Sequence, residues 1–255
     1  LTFGLSMRYL GVALGQSVSL GTCSAFGTLL PALFGGTNLM EGSGLVLLAG
    51  VCITLAGIAV IGYAGFLREK TMSRADRTAA IRDFAFTKGL LVALLAGVMS
   101  ACFALGLDAG QAFRVQAVAA GVDPLFAGLP VVFLVTLGGF LTNALYCFYP
   151  RRRAEGAQAA PVPLKVVVNN VLFCALAGLL WYSQFFGLEV GRSFLAGSPV
   201  LLAFSWSILM SLNVVFSNVW GVVLHEWRGS SRMTIAVLAA GLVLLVFSVF
   251  FPSIC

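Results

Sequence analysis

Seven apolar stretches, each long enough to cross a bilayer as a helix, occupy most of this sequence and constrain its fold more than any other feature. A spanning helix needs about 20 mostly apolar residues, whereas a barrel strand needs only about ten with strict alternation. The predicted spans are 11–33, 44–67, 88–107, 125–148, 167–188, 201–225 and 233–252. The predicted fold class is therefore an all-α integral membrane protein, a polytopic helix bundle with seven complete transmembrane helices.

Composition excludes the soluble classes of protein. Only 9% of the 255 residues are charged, 60% are hydrophobic, and the mean hydropathy is +1.03. Soluble chains carry about 25% charged residues, so this chain cannot cover itself with a water-facing surface. A soluble enzyme and a nucleic-acid-binding protein are excluded, and the lipid bilayer is the expected surrounding. Six cysteines without a CxxC pair and the single His225 predict no metal site.

The distribution of basic residues predicts the orientation of the spans. Basic residues are concentrated in three loops, at 68–88, at 150–165 and after 225. The alternate loops carry almost none, at 34–43, 108–124 and 189–200. By the positive-inside rule the basic loops face the cytoplasm, which places the uncharged C-terminus outside. The chain begins at Leu1 within an apolar pattern, so we expect residues 1–10 to be the tail of a further span.

Charged side chains within the predicted spans are rare. Only Asp108 enters a span, at its outer end. A carboxylate inside a membrane is a functional hypothesis by default, so Asp108 is the candidate for proton coupling, against the alternative of an interfacial carboxylate in water. Glu189 and Arg192 are three positions apart on one helix face and are predicted to form an exposed pair worth less than about 1 kcal/mol.

Uncharged polar residues form stripes on several spans. In span 167–188, Asn170, Trp181 and Gln184 fall within about 60° of one another at 100° per residue. An indole beside an amide suits a sugar, because the apolar C–H face stacks on the ring while hydroxyl groups bond to the amide. The alternative is that such amides join helices and that the tryptophans form an interfacial belt.

Span 201–225 repeats this pattern with Trp206, Asn213, Ser217 and Trp220 on one face. A second polar stripe, about 120° away, comprises Ser207, Ser211 and Asn218. Polar stripes on several helices favour a central cavity for a neutral, hydroxylated solute. The predicted substrate-binding residues are Trp181, Gln184, Asn170, Trp206, Asn213, Ser217, Gln16 and Asn143.

Six short motifs are spread along the chain: LTFGLSMRYLGVALGQ at the start, AGFLREK from Ala64, GVDP from Gly121, WYSQFF from Trp181, SWS from Ser205 and WGVVLHEW from Trp220. In this order they resemble the L-rhamnose–proton symporter family of the drug/metabolite transporter superfamily. The resemblance implies ten helices in two inverted five-helix repeats, with about three helices upstream of this sequence. It divides the single transporter domain 1–255 into the remainder of the first repeat (1–67), a cytoplasmic linker (68–88) and the second repeat (88–255).

The resemblance implies a function in the bacterial inner membrane. We expect proton-coupled uptake of L-rhamnose or a related deoxysugar or polyol by alternating access, with Na+ as the alternative coupling ion and no other cofactor. The rival on the same fold is an exporter of small metabolites or a nucleotide-sugar antiporter, which would need basic residues in its cavity. An intramembrane enzyme would need clustered His, Asp or Glu within the spans, so no enzymatic activity is expected.

Overall fold

The computed structural model describes residues 2–71, 85–148, 163–195, 197–225 and 227–254, and the regular structure in these ranges is entirely helical. The helices are α1 (Thr2–Leu10), α2 (Val12–Phe34), α3 (Gly42–Thr71), α4 (Phe86–Ala109), α5 (Gln111–Ala119), α6 (Leu129–Phe148), α7 (Leu164–Leu195), α8 (Pro199–Val223) and α9 (Arg232–Ile254). Within the described ranges, seven of them are long and apolar enough to cross a membrane: α2, α3, α4, α6, α7, α8 and α9.

The prediction of an all-helical polytopic membrane protein is confirmed. Most helix ends lie within a few residues of the predicted spans, and the largest difference is at α7, which continues to Leu195. The short helix α5 occupies what the sequence predicted to be an outer loop. The basic residues predicted to face the cytoplasm at 72–84 and 149–162 lie outside the described residues, so the predicted orientation stays a prediction.

The chain divides into two compact units, which are described separately. The first comprises Leu1–Asp108 together with Leu195–Cys255, and the second comprises Ala109–Phe194. The first unit is therefore assembled from both ends of the sequence, and the second from its middle.

Close backbone contacts between helices hold the first unit together. A Cβ added to Gly57 on α3 would lie 2.7 Å from the side chain of Leu245 on α9, and one added to Gly241 on α9 would lie 2.6 Å from that of Ile61. Gly50 packs in the same way against the ring of Phe204. Small residues allow this approach in lipid, where dispersion forces rather than hydrophobic burial drive helix association.

Two buried apolar clusters fill the space between these helices. One joins Ile58 and Ile61 of α3 to Leu238 and Leu245 of α9 and to Val214 of α8. The other joins α2, α3 and α8 through Ala32, Leu47, Val51 and Phe204. Together they fix α8 against α2, which positions the polar residues of both helices.

The second unit contains α5, α6 and most of α7. A turn leads into α6, and in it the Asp123 carboxylate accepts a hydrogen bond of 2.8 Å from the backbone N–H of Leu125. Gly121 in this turn has φ of 90°, a conformation that side chains other than glycine rarely adopt. At the start of this unit, the backbone at Gly110 lies directly against Val131 of α6.

Candidate functional site

A groove of about 490 Å³ lies between α6 and α7 within the second unit. Its lining comprises Phe133, Thr136, Leu137, Phe140, Asn143, Gly178, Trp181 and Tyr182. This volume falls in the range typical of small-molecule sites, which are mostly apolar with a few placed polar groups. None of these lining residues is charged, so the groove is chemically suited to a neutral ligand.

Trp181 gives this groove an accessible aromatic face. Its side chain is 55% exposed, and its indole meets the Phe185 ring edge-on, with centroids 4.9 Å apart at 73°. The Asn143 amide donates to the Gly139 carbonyl (2.8 Å), and the Thr136 hydroxyl donates to the Val132 carbonyl (2.8 Å). Indole, amide, hydroxyl and the Tyr182 phenol are the groups that hold a sugar by stacking and by hydrogen bonds.

The structure therefore brings together two of the predicted substrate-binding residues, Trp181 and Asn143. Gln184 is half-buried one turn from Trp181, and Asn170 is exposed nearer the start of α7. Neither belongs to the residues that line the groove. The sequence did not single out Thr136 and Tyr182, because a hydroxyl or phenol in an apolar span has no pattern of its own.

Trp206 lies in the core of the first unit, with only 3% of it exposed. Its indole stacks on Phe103 of α4, with centroids 5.8 Å apart at 24°, and its Nε1 donates to the Cys23 carbonyl at 3.3 Å. A Cβ at Gly27 of α2 would overlap the indole. Trp206 thus fills a close-fitting space bounded by α2 and α4.

Buried hydroxyl groups line the contact between α2 and α8. Ser24 and Ser207 share a hydrogen bond of 2.6 Å and are fully buried. The hydroxyls of Thr28 and Ser211 are also buried, and neither has a hydrogen-bond partner in the part of the chain that the structure describes. Ser207 and Ser211 belong to the second polar stripe predicted for α8, so at these two positions that stripe faces the interior of the first unit.

The remaining predicted residues of the first unit lie nearer its surface. Asn213 and Gln16 are half-buried, and Ser217 is exposed. Asp108, the predicted proton-coupling residue, is half-buried near the C-terminal end of α4.

A buried ion pair joins α5 to α7 in the second unit. The Arg114 guanidinium donates to the Glu189 carboxylate, and Glu189 is only 1% exposed. Arg192, one turn further along α7, is 5% exposed. The prediction that Glu189 and Arg192 form an exposed pair is therefore wrong, as is the prediction that only Asp108 enters a span. The reason is that α7 continues as a helix past the point at which its first charges suggest that the span ends.

Comparison with known proteins identifies the family. The family model for the L-rhamnose-proton symport protein matches residues 1–252. The chain belongs to the L-rhamnose-proton symport family. It is 32% identical to the L-rhamnose-proton symporters of Yersinia pestis and Yersinia pseudotuberculosis over 254 residues, 97% of this chain and 72% of each relative. It is 32% identical to the symporter of Cronobacter sakazakii over 252 residues, 96% of this chain and 71% of that relative. No solved structure matches it.

Membership of this symport family makes the chain a multi-pass membrane transporter and not an enzyme. Within the described ranges, no three His, Cys, Asp or Glu side chains come together as metal ligands. The sequence feature that could have indicated the buried Arg114–Glu189 ion pair is the presence of two charged residues, Glu189 and Arg192, near the end of an otherwise apolar stretch.

Proposed function

We propose that this chain takes up L-rhamnose or a related deoxysugar or polyol together with a proton, by alternating access. Relatives that align with nearly the whole chain carry the name L-rhamnose-proton symporter. The observation that carries the proposal is the uncharged groove between α6 and α7, which the exposed Trp181 lines together with the amide of Asn143 and the hydroxyl of Thr136. A nucleotide sugar would need basic side chains there, and the lining residues include none.

The proposed mechanism places this site in a ten-helix transporter with two inverted repeats, one of which rocks against the other. Proton binding then biases which side of the membrane the site faces. We propose H+ as the coupling ion, with Na+ as the alternative. Asp108 is the proton carrier that the sequence predicts, and the buried Glu189 carboxylate is its rival for that role. We also propose the bacterial cytoplasmic membrane as the location, with the C-terminus outside.

Trp181→Ala is expected to raise the apparent KM for L-rhamnose, because it removes the stacking surface of the groove. The protein abundance in the membrane should change little, since the side chain is 55% exposed. Initial uptake rates, normalised to membrane-inserted protein, measure the effect. Trp181→Phe is the matched control, because it keeps an aromatic face and should retain most of the affinity.

Gln184→Ala is expected to weaken substrate binding by about 1–3 kcal/mol, roughly 5- to 150-fold, if its amide bonds to a sugar hydroxyl. The same uptake assay measures this change. An unchanged KM in both Trp181→Ala and Gln184→Ala, with less inserted protein, would mean that these side chains only join helices. The substrate would then bind outside this groove.

The proposed orientation predicts which positions an impermeant thiol reagent can label in intact cells. A cysteine near Gly36, such as Asn38→Cys, or one at Ser198 should be labelled from outside, because the short loops there carry few charges. A cysteine at Ala75, which lies outside the described residues, should be labelled only after the membrane is permeabilised. Labelling at Ala75 in intact cells would reverse the topology.

A further inference from the structure

We propose that Glu189 takes up the coupling proton, and that the Arg114–Glu189 ion pair is the contact that this proton opens. The inference rests on the proposed proton-coupled uptake and names its proton site. Glu189 lies on the spanning helix α7, is 1% exposed and pairs with Arg114 of α5. Of the other acidic side chains whose burial the structure describes, Glu41 and Asp123 are exposed and Asp108 is half-buried.

A buried carboxylate has two states of low free energy. It can be ionised and paired with a cation, or it can be protonated and neutral, because an isolated charge in an apolar surrounding is strongly unfavourable. Glu189 occupies the paired state in this structure. A proton therefore competes directly with Arg114 for the same carboxylate, which is the property required of a coupling site.

The two partners differ in their access to water. The Glu189 side chain is fully buried, whereas that of Arg114 is 17% exposed. When Glu189 becomes neutral it can remain buried, and the Arg114 guanidinium can turn toward water without leaving its charge in an apolar surrounding. Opening of the pair is thus possible without an uncompensated buried charge at Arg114.

The surroundings of Glu189 are closely packed and carry a second charge. Arg192 adds a second buried positive charge from α7 itself, and the turn before α6 contributes the uncharged backbone at Gly128. A Cβ on Gly128 would overlap the Glu189 carboxylate and would lie 2.9 Å from the guanidinium carbon of Arg114. The ion pair therefore fills the space against the start of α6, so that its opening alters the contact between α5, α6 and α7.

The proton step balances without any other reactant. A hydronium ion gives its proton to a carboxylate oxygen of Glu189, an O–H bond forms, and water is left behind. The hydrogen bond from Arg114 to that carboxylate breaks, while Arg114 keeps all its protons and its charge. In the opposite state of the transporter the proton passes from Glu189 to water, and the ion pair forms again.

The test separates proton coupling from sugar binding in the full-length transporter reconstituted in vesicles. Two quantities are measured: accumulation of labelled L-rhamnose driven by an inward proton gradient, and exchange of labelled for unlabelled L-rhamnose without a gradient. We expect Glu189→Gln to lose gradient-driven accumulation entirely while exchange continues. Glu41→Gln, which changes an exposed carboxylate between α2 and α3, should keep both.

The possible outcomes distinguish this inference from the proposed function. Wild-type protein that exchanges L-rhamnose without gradient-driven accumulation would overturn proton coupling altogether, and this proton site with it. Gradient-driven accumulation by Glu189→Gln would overturn the assignment of Glu189 alone. If Asp108→Asn then lost accumulation, the proton would belong to Asp108.

A second variant guards against misfolding of Glu189→Gln. Removing one partner of a buried pair leaves the other charge uncompensated, whereas removing both is often tolerated. The double variant Arg114→Gln with Glu189→Gln should therefore insert, exchange L-rhamnose and fail to accumulate it. A carbodiimide that modifies protonated buried carboxyl groups should also label Glu189 of the wild type, increasingly as the pH falls. Absence of that label at the pH that drives uptake would overturn the inference without any variant.

Discussion

Arg114→Met is expected to lower the free energy of unfolding by about 3–5 kcal/mol, because it leaves the Glu189 carboxylate buried without its guanidinium partner. The effect should be large since the Glu189 side chain is fully buried. Breaking an ion pair that is exposed to water would lower the free energy of unfolding by at most about 1 kcal/mol. Thermal unfolding of the purified transporter in detergent measures the difference.

The double variant Arg114→Met with Glu189→Leu should recover most of this loss, because the Glu189 carboxylate is then no longer buried without Arg114. Lys165→Met provides a control in the same unit, since Lys165 is exposed at the start of α7, and it should leave the stability almost unchanged. A single Arg114→Met variant as stable as the wild type would mean that the pair contributes nothing to the fold.

Trp206→Ala is expected to destabilise the protein by about 3–5 kcal/mol, the usual cost of removing a large aromatic side chain from a core. The indole is 3% exposed, stacks on Phe103 and bonds to the Cys23 carbonyl, so its loss leaves a cavity and an unfilled acceptor. Trp220→Ala on the same helix is the matched control. It removes a side chain that is 60% exposed and should have little effect on thermal unfolding.

The same pair of variants tests the prediction that Trp206 contacts the substrate. A binding role for Trp206 would raise the KM of the protein that remains folded, whereas a packing role would lower the amount of folded protein and leave the KM unchanged. Uptake normalised to inserted protein distinguishes the two results. The contacts in the structure favour the packing role.

The sequence was sufficient to predict the helices because lipid imposes a simple requirement. Every backbone polar group must be satisfied within a span, so a long apolar stretch has few alternatives to a helix. The end of α7 could not be predicted in this way. A hydropathy argument ends the span at Glu189, because charged residues begin there. The structure shows that the helix continues to Leu195 with the side chains of Glu189 and Arg192 both buried.

The candidate site could be predicted only in part. Helical periodicity gives the angle of one side chain relative to another around the helix axis, but it does not say which face of the helix packs against the rest of the protein. Trp206 and Trp220 share one face of α8, yet the first is buried and the second exposed. The inward direction depends on which neighbours the helix meets, here Phe103 and Gly27. That Trp181 and Asn143 line the same groove likewise depends on how α6 packs against α7.

The discontinuous first unit has a consequence for the order in which the protein assembles during synthesis. A chain is synthesised from its N-terminal end, so Ser24 cannot form its hydrogen bond with Ser207 until that residue is made, 183 residues later. Until α8 enters the membrane, the buried hydroxyl of Ser24 has to find another partner or face lipid. All residues of the second unit are made before α8 and α9 emerge. Helices α8 and α9 therefore complete a unit whose other helices are made much earlier, and a ribosome that stops before α8 leaves α2 without the helix that covers its polar face.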